Sequence, residues 1–145
     1  MSTDLKQPSA IELLATYGTL RDDNDTNAPW AKNFTNDMSY AITGKLTGYQ
    51  LFAHSSLTYP FAIYTGNSSD SIVVRLLGWP SREQFAQKIT QADLIEGDDY
   101  ERKIVEVLVN DNEIKHAYIY VPKLKVPDQS WIRIPSGDWL QRPSK

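Results

Sequence analysis

Only one stretch of this chain, Ser81 to Gly97, carries the three- and four-residue apolar spacing of a helix. Every other apolar run is four to eight residues long, rich in β-branched and aromatic residues, and bounded by turn formers. Such a chain folds as sheet with one helix packed on it. The runs are Ile11–Tyr17, Tyr40–Thr43, Leu46–Phe52, Tyr59–Tyr64, Ser71–Leu77, Arg102–Val109 and Ile114–Val121. Gly44 and Gly48 read as bends or bulges inside the stretch 40–52, and Asn110-Asp111-Asn112 as the turn of a hairpin. Trp30, Ala31 and Phe34 read as a short helical turn, and Trp131, Ile132, Ile134 and Trp139 as anchors of a proline-punctuated tail. In the helix, Ser81 with Gln84 makes a capping box, Phe85, Ile89, Ala92 and Ile95 form the apolar face, and Gly97 terminates it. Six or seven strands with Gly-bent segments predict an α+β, mainly β fold: a small curled mixed β-barrel with one main helix and short flanking helical turns.

At 145 residues the chain has the length of one domain, able to withdraw roughly two-thirds of its unfolded surface from water. Residues 1–10 are polar and aperiodic and read as a flexible lead-in, with 11–145 as the single domain. No cysteine is present, which excludes disulfide frameworks, thiolate metal centres and thiol nucleophiles. A net charge of −3 gives no broad basic face for phosphate backbones, so no nucleic-acid partner is expected. No apolar run approaches the roughly 20 residues of a membrane span, and Met1–Pro8 has no signal-peptide pattern. The expectation is a cytoplasmic protein without a membrane partner; its oligomeric state is not legible.

Two places could carry chemistry. In Tyr17-Gly18-Thr19-Leu20-Arg21 a strand runs straight into a turn, where a glycine lets backbone N–H groups converge on a carboxylate or a developing oxyanion. A plain tight turn has the same residues. The second place is the helix end, where Asp93, Glu96, Asp98, Asp99 and Glu101 gather five carboxylates, relieved by Arg102. Glu96 sits beside Leu94 and Ile95, where the helix dipole, neighbouring acids and inward burial would each raise its pKa. A solvated acidic loop explains most runs of this kind. Residues alone leave both readings open at both places. His54 and His116 lack metal-ligand spacing, and Tyr100, Tyr118 and Tyr120 could be pocket hydroxyls or core.

Taken together, the two segments resemble the gamma-glutamylcyclotransferase-like (avirulence-induced-gene-like) superfamily. Its members open with a strand ending Tyr-Gly-Thr-Leu and a basic residue, matched by Tyr17 to Arg21. Its helix-end glutamate with a following Tyr-x-Arg and a valine strand is matched by Glu96, Tyr100-Glu101-Arg102 and Ile104-Val105-Glu106-Val107. Tyr59-Pro60, Tyr118-Ile119-Tyr120 and the ending Ile134-Pro135-Ser136-Gly137-Asp138-Trp139 also look like the short bacterial-type members, a resemblance spanning about residues 11–140. One departure is the strand before the helix, Val74-Arg75-Leu76-Leu77-Gly78 here, where many members carry a Gly-Glu pair.

The resemblance implies a cofactor-independent, metal-free gamma-glutamyl cyclotransferase acting on a small-molecule γ-glutamyl substrate. The substrate's own α-amine attacks its γ-carbonyl, releasing 5-oxoproline and an amine or amino acid. It implies Glu96 as catalytic acid/base and Tyr17, Gly18, Thr19, Leu20, Tyr100 and Tyr120 as substrate-binding residues. The Tyr-Gly-Thr-Leu form differs from the Tyr-Gly-Ser-Leu of the glutathione-specific branch, implying substrates other than glutathione. Segments 21–29 and 65–70 are candidates for shaping the leaving-group pocket. Two alternatives share the fold: a non-catalytic ligand-binding module, and a biosynthetic enzyme removing a γ-glutamyl protecting group from a larger amine.

Overall fold

A three-residue strand, Leu14–Thr16 (β1), closes the main sheet on itself. It pairs antiparallel with Ser71–Gly78 (β5) and parallel with Glu113–Pro122 (β7), through Leu14↔Leu77 on one side and Leu14↔Tyr118 on the other. Tyr40–Thr47 (β2) and Tyr100–Val109 (β6) complete a closed five-stranded barrel in the order β1-β5-β2-β6-β7. Tyr49–Ala53 (β3), Pro60–Tyr64 (β4) and Ile132–Ile134 (β8) form a second sheet, in the order β4-β3-β8. The helix is Arg82–Glu96 (α1), and a 3-10 turn covers Trp139–Gln141. The computed structural model describes residues 11–18, 21–22, 34–54, 60–110, 112–123 and 129–141. Parallel closure between antiparallel partners makes the barrel mixed, as expected.

Strand alternation builds two cores. From β5, Ile72, Val74 and Leu76 point into the barrel, while Leu77 points outward beneath the helix. The barrel core continues into Leu51, Ala62 and Ile134 of the small sheet. The outer core joins Leu14, Leu77 and Tyr120 to Phe85, Ile89 and Ala92 of α1. Each large apolar side chain buried there is worth about 1.5–3 kcal/mol. Lys88, also buried, extends this face: its ammonium meets Asp37 at 3.0 Å and lies over the Phe34 and Trp79 rings.

Several local expectations are refined. β2 runs on through Gly44, where a Cβ would come within 2.4 Å of Val107 Cγ1, so glycine permits close packing against the neighbouring β6. Gly48, at φ +90°, is the hinge that carries the chain from β2 into the second sheet. Ser81 Oγ accepts the Gln84 N–H at 3.1 Å and so caps α1 as expected. Ile95, assigned to the apolar face, is 38% exposed, and the inner stripe ends on Glu96 instead. Phe34 is helical and fully buried, its ring edge-on to Trp79; Trp30 and Ala31 lie outside the described residues. The 65–70 loop is tied to itself, Asp70 accepting from Thr65 Oγ1 at 2.7 Å and Gln50 Nε2 at 3.2 Å.

The tail is a structural clamp. Trp139 is 1% exposed in the barrel core, Gly137 accepts the Val73 N–H at 2.8 Å, and Trp131 stacks on Phe61 with ring centroids 3.9 Å apart. Replacing Trp139 with alanine is expected to cost about 3–5 kcal/mol of stability, read as a lower urea midpoint with unchanged slope. An unchanged midpoint would show that the tail is not part of the folding unit.

Candidate active site

Alternation along β1 sends Ala15 and Tyr17 into the barrel. The Tyr17 hydroxyl donates to the Tyr120 carbonyl at 2.7 Å, and the backbone of Ala62 in β4 faces the same oxygen. Burial raises this phenol well above its ordinary pKa, and Tyr100 and Glu96 nearby add to the rise. The hydroxyl therefore stays neutral. Gly18 follows because nothing larger fits, since a Cβ there would stand 2.2 Å from the Pro60 ring. The Arg21 N–H then closes the turn on the Gly18 carbonyl at 3.0 Å.

Two ion pairs clamp the exit of that turn. Arg21, 4% exposed, reaches Asp138 of the tail at 2.9 Å. Asp22 receives both Nε and Nη2 of Arg75 at 2.8 Å, and Arg75 also donates to Thr43 Oγ1. Arg75 thus fixes the chain after the turn. Both pairs escaped the sequence reading, because their partners lie 117 and 53 residues apart.

Glu96 arrives from the other side. Its neighbours on the helix face, Phe85, Ile89 and Ala92, are buried against the barrel, and Glu96 continues that stripe at half-burial. Its carboxyl is raised to about 7, and desolvation is the cause. Neighbouring acids do not contribute, which corrects the expectation of a repelling acidic cluster. Asp93 is taken up separately, accepting from Arg102 Nη1 at 2.9 Å. A group titrating near neutrality can both take and return a proton at physiological pH.

The two aromatic candidates divide. Tyr100 lies within electrostatic range of Tyr17, its ring stacked on Phe61 and its hydroxyl donating to the Pro60 carbonyl at 3.4 Å. Tyr120 is turned away. Its hydroxyl lies under the helix, donating to Asp93 at 2.5 Å with the Ile89 carbonyl 3.2 Å away. Ile119 and Val121 take the barrel interior, so Tyr120 faces outward by alternation and offers the site its backbone carbonyl instead. The structure therefore gathers Tyr17, Gly18, Tyr100 and Glu96; Thr19 and Leu20 lie outside the described residues. Among the described residues no group of three or more His, Asp or Glu could hold a metal ion, and no helix is long and apolar enough to cross a membrane.

The model of a family described as "Gamma-glutamyl cyclotransferase, AIG2-like" matches residues 14–141. No curated protein matches the chain. Among solved structures, an uncharacterised protein from Pyrococcus horikoshii shares 20% identity, with 90% of each chain covered and a TM-score of 0.58. An AIG2-like protein from Mus musculus shares 14% over 93% of this chain and 86% of its own, with a TM-score of 0.59. A structure described as a gamma-glutamyl cyclotransferase shares 13% over 86% of this chain and 72% of its own, with a TM-score of 0.58. At these identities the likeness is one of fold.

The raised carboxyl predicts a signature in stability. Folded Glu96 holds its proton up to about pH 7, against 4.5 in the unfolded chain, so its ionisation costs stability as pH rises between those values. Glu96→Gln is expected to lack this loss and to gain on wild type from pH 4.5 to 7 by on the order of 3 kcal/mol. Denaturation curves of both proteins across that window check it; parallel curves would refute an inward-facing carboxyl.

Proposed function

Because the chain belongs to the gamma-glutamyl cyclotransferase, AIG2-like family, we propose that it cyclises a γ-glutamyl group to 5-oxoproline and releases the attached amine or amino acid. One observation carries the reading: a desolvated carboxyl raised to about 7 stands close enough to Tyr17, at the turn, to influence its phenol. The reaction suits so sparse a site. The nucleophile is the substrate's α-nitrogen, which enters as an ammonium and must lose a proton before it attacks. The Glu96 carboxylate takes that proton. Attack forms the ring C–N bond and places negative charge on the γ-oxygen; collapse breaks the original amide C–N bond. Two protons leave the attacking nitrogen and two arrive on the departing one. No net proton is consumed, and a single carboxyl can carry them in turn.

The turn beginning at Gly18 is the proposed holder of the glutamyl head, with its backbone N–H groups directed at the α-carboxylate or the developing oxyanion. Arg21–Asp138 and Asp22–Arg75 hold the chain firmly where it leaves that turn. Such rigidity matters because a free glutamyl chain seldom brings its amine onto its own carbonyl. Tyr17, neutral and anchored at the Tyr120 carbonyl, walls the same space; Tyr100 is the second aromatic proposed to border it.

Incubation with γ-glutamyl amino acids, γ-glutamyl amines and γ-glutamyl-lysine, followed by assay of 5-oxoproline, tests the reading. Glu96→Gln is expected to bind substrate as wild type does and to turn over about 10²–10⁴-fold more slowly. Wild-type kcat/KM should rise with pH through about 7 as the carboxyl ionises, and the variant should lack that limb. Near-wild-type 5-oxoproline release by the variant would remove Glu96 from the mechanism. Binding without release by wild type would leave a ligand-binding module.

A further inference from the structure

A cavity of about 210 Å³ opens between β3, β4, β6 and β7. It is lined by Tyr49, Ala62, Tyr64, Lys103, Val121 and Pro122, together with Ile63. It shares a wall with the candidate active site. The Ala62 backbone reaches the Tyr17 hydroxyl oxygen, and Val121 follows the residue whose carbonyl accepts that hydroxyl. The walls are apolar and aromatic, with the Tyr49 and Tyr64 rings edge-to-face at 5.3 Å. An apolar cavity of about 150 Å³ accommodates a benzene ring, so this one has room for a single amino-acid-sized group.

One charge breaks the apolar lining. Lys103 pairs across the sheet with Ile119, whose side chain lies in the barrel core, so alternation puts Lys103 on the inner face of β6. Its neighbours on that face, Val105 and Val107, pack inside, while Lys103 stands where β6 reaches the mouth. Its ammonium is only loosely committed: Glu101 is 3.8 Å away, beyond hydrogen-bonding distance, and the side chain is 44% exposed. Glu101 itself does not line the cavity. An apolar chamber with a cation at its rim is complementary to an apolar group that carries a carboxylate.

We propose that this cavity is the leaving-group subsite, and that it selects an apolar or aromatic amino acid whose α-carboxylate pairs with Lys103. The inference rests on the cyclotransferase reading and narrows its substrate class: γ-glutamyl amino acids over γ-glutamyl amines without a carboxylate. Tyr64, two-thirds exposed, forms the outer lip against which the side chain of that amino acid packs. No bond beyond those of the cyclisation is made or broken. Lys103 acts on binding and orientation alone.

The test compares γ-glutamyl-phenylalanine with its neutral α-amide, by 5-oxoproline release from wild type and by calorimetric binding to the Glu96→Gln protein. A charge-assisted contact at a partly exposed site predicts about a tenfold preference for the acid in both measurements. Adding Lys103→Met should bring the ratio close to one, and Lys103→Arg should restore it. Equal handling of acid and amide by the unaltered Lys103 protein, or a ratio that Lys103→Met leaves unchanged, overturns the subsite. No 5-oxoproline from either compound, with a Lys103-dependent binding ratio, defeats the cyclisation and upholds the subsite. Neither binding nor turnover defeats both.

Discussion

The barrel closes because Leu14–Thr16 lies between β5 and β7, accepting an antiparallel neighbour on one side and a parallel one on the other. Three residues cannot do this through their own hydrogen bonds alone, since each ladder contributes little net stability. Burial does it: all three positions are enclosed, with Leu14 under the helix and Ala15 inside the barrel. Everything functional hangs on that short strand. It delivers Tyr17 to the interior and Gly18 against Pro60, and fixes where the turn leaves the sheet. The helix that covers the outer face of the barrel then sets Glu96 at the same end.

The site depends on unequal treatment of similar groups. Five carboxylates occupy residues 93–101, yet burial acts on Glu96 while Asp93 is drawn into bonds with Arg102 and Tyr120. Removing one group from water, with no partner charge to offset it, moves its pKa toward neutrality. Two tyrosines divide by position instead. Burial raises the pKa of both phenols, but Tyr17 is anchored inside the barrel on the Tyr120 carbonyl, whereas Tyr120 spends its hydroxyl on Asp93 at the underside of the helix.

Much of this was legible in the chain. Most strand runs, the capped helix and the Gly97 terminator are local signals placed within a few residues, but the run Leu46–Phe52 is split between β2 and β3 at Gly48, and Ile132–Ile134, read as a tail anchor, is a strand. The turn after Tyr17 and the helix-end glutamate were visible as residue types. What remained illegible depended on which face of an element the rest of the molecule covers. From Ala92, Ile95 and Glu96 both fit helical spacing, but at about 100° per residue Glu96 falls much closer to the line of Phe85 and Ile89. Angular bookkeeping over the whole helix would have picked it out; apolarity favoured the wrong neighbour. On β7 both faces are buried, so alternation could not say whether Tyr120 looks into the barrel or beneath α1. The Asp22–Arg75 and Arg21–Asp138 pairs, and the collision that makes Gly18 necessary, are contacts between distant segments with no local trace.

The account turns on a single claim, that burial holds the Glu96 carboxyl ready to exchange a proton near neutrality. Carbon-detected magnetic resonance of protein labelled at the glutamate side-chain carboxyls, assigned with Glu96→Gln, reads that group directly. The account predicts a Glu96 titration midpoint of about 7, set apart from the other glutamates. A midpoint near 4.5, the value of an ordinary solvated glutamate, would contradict it.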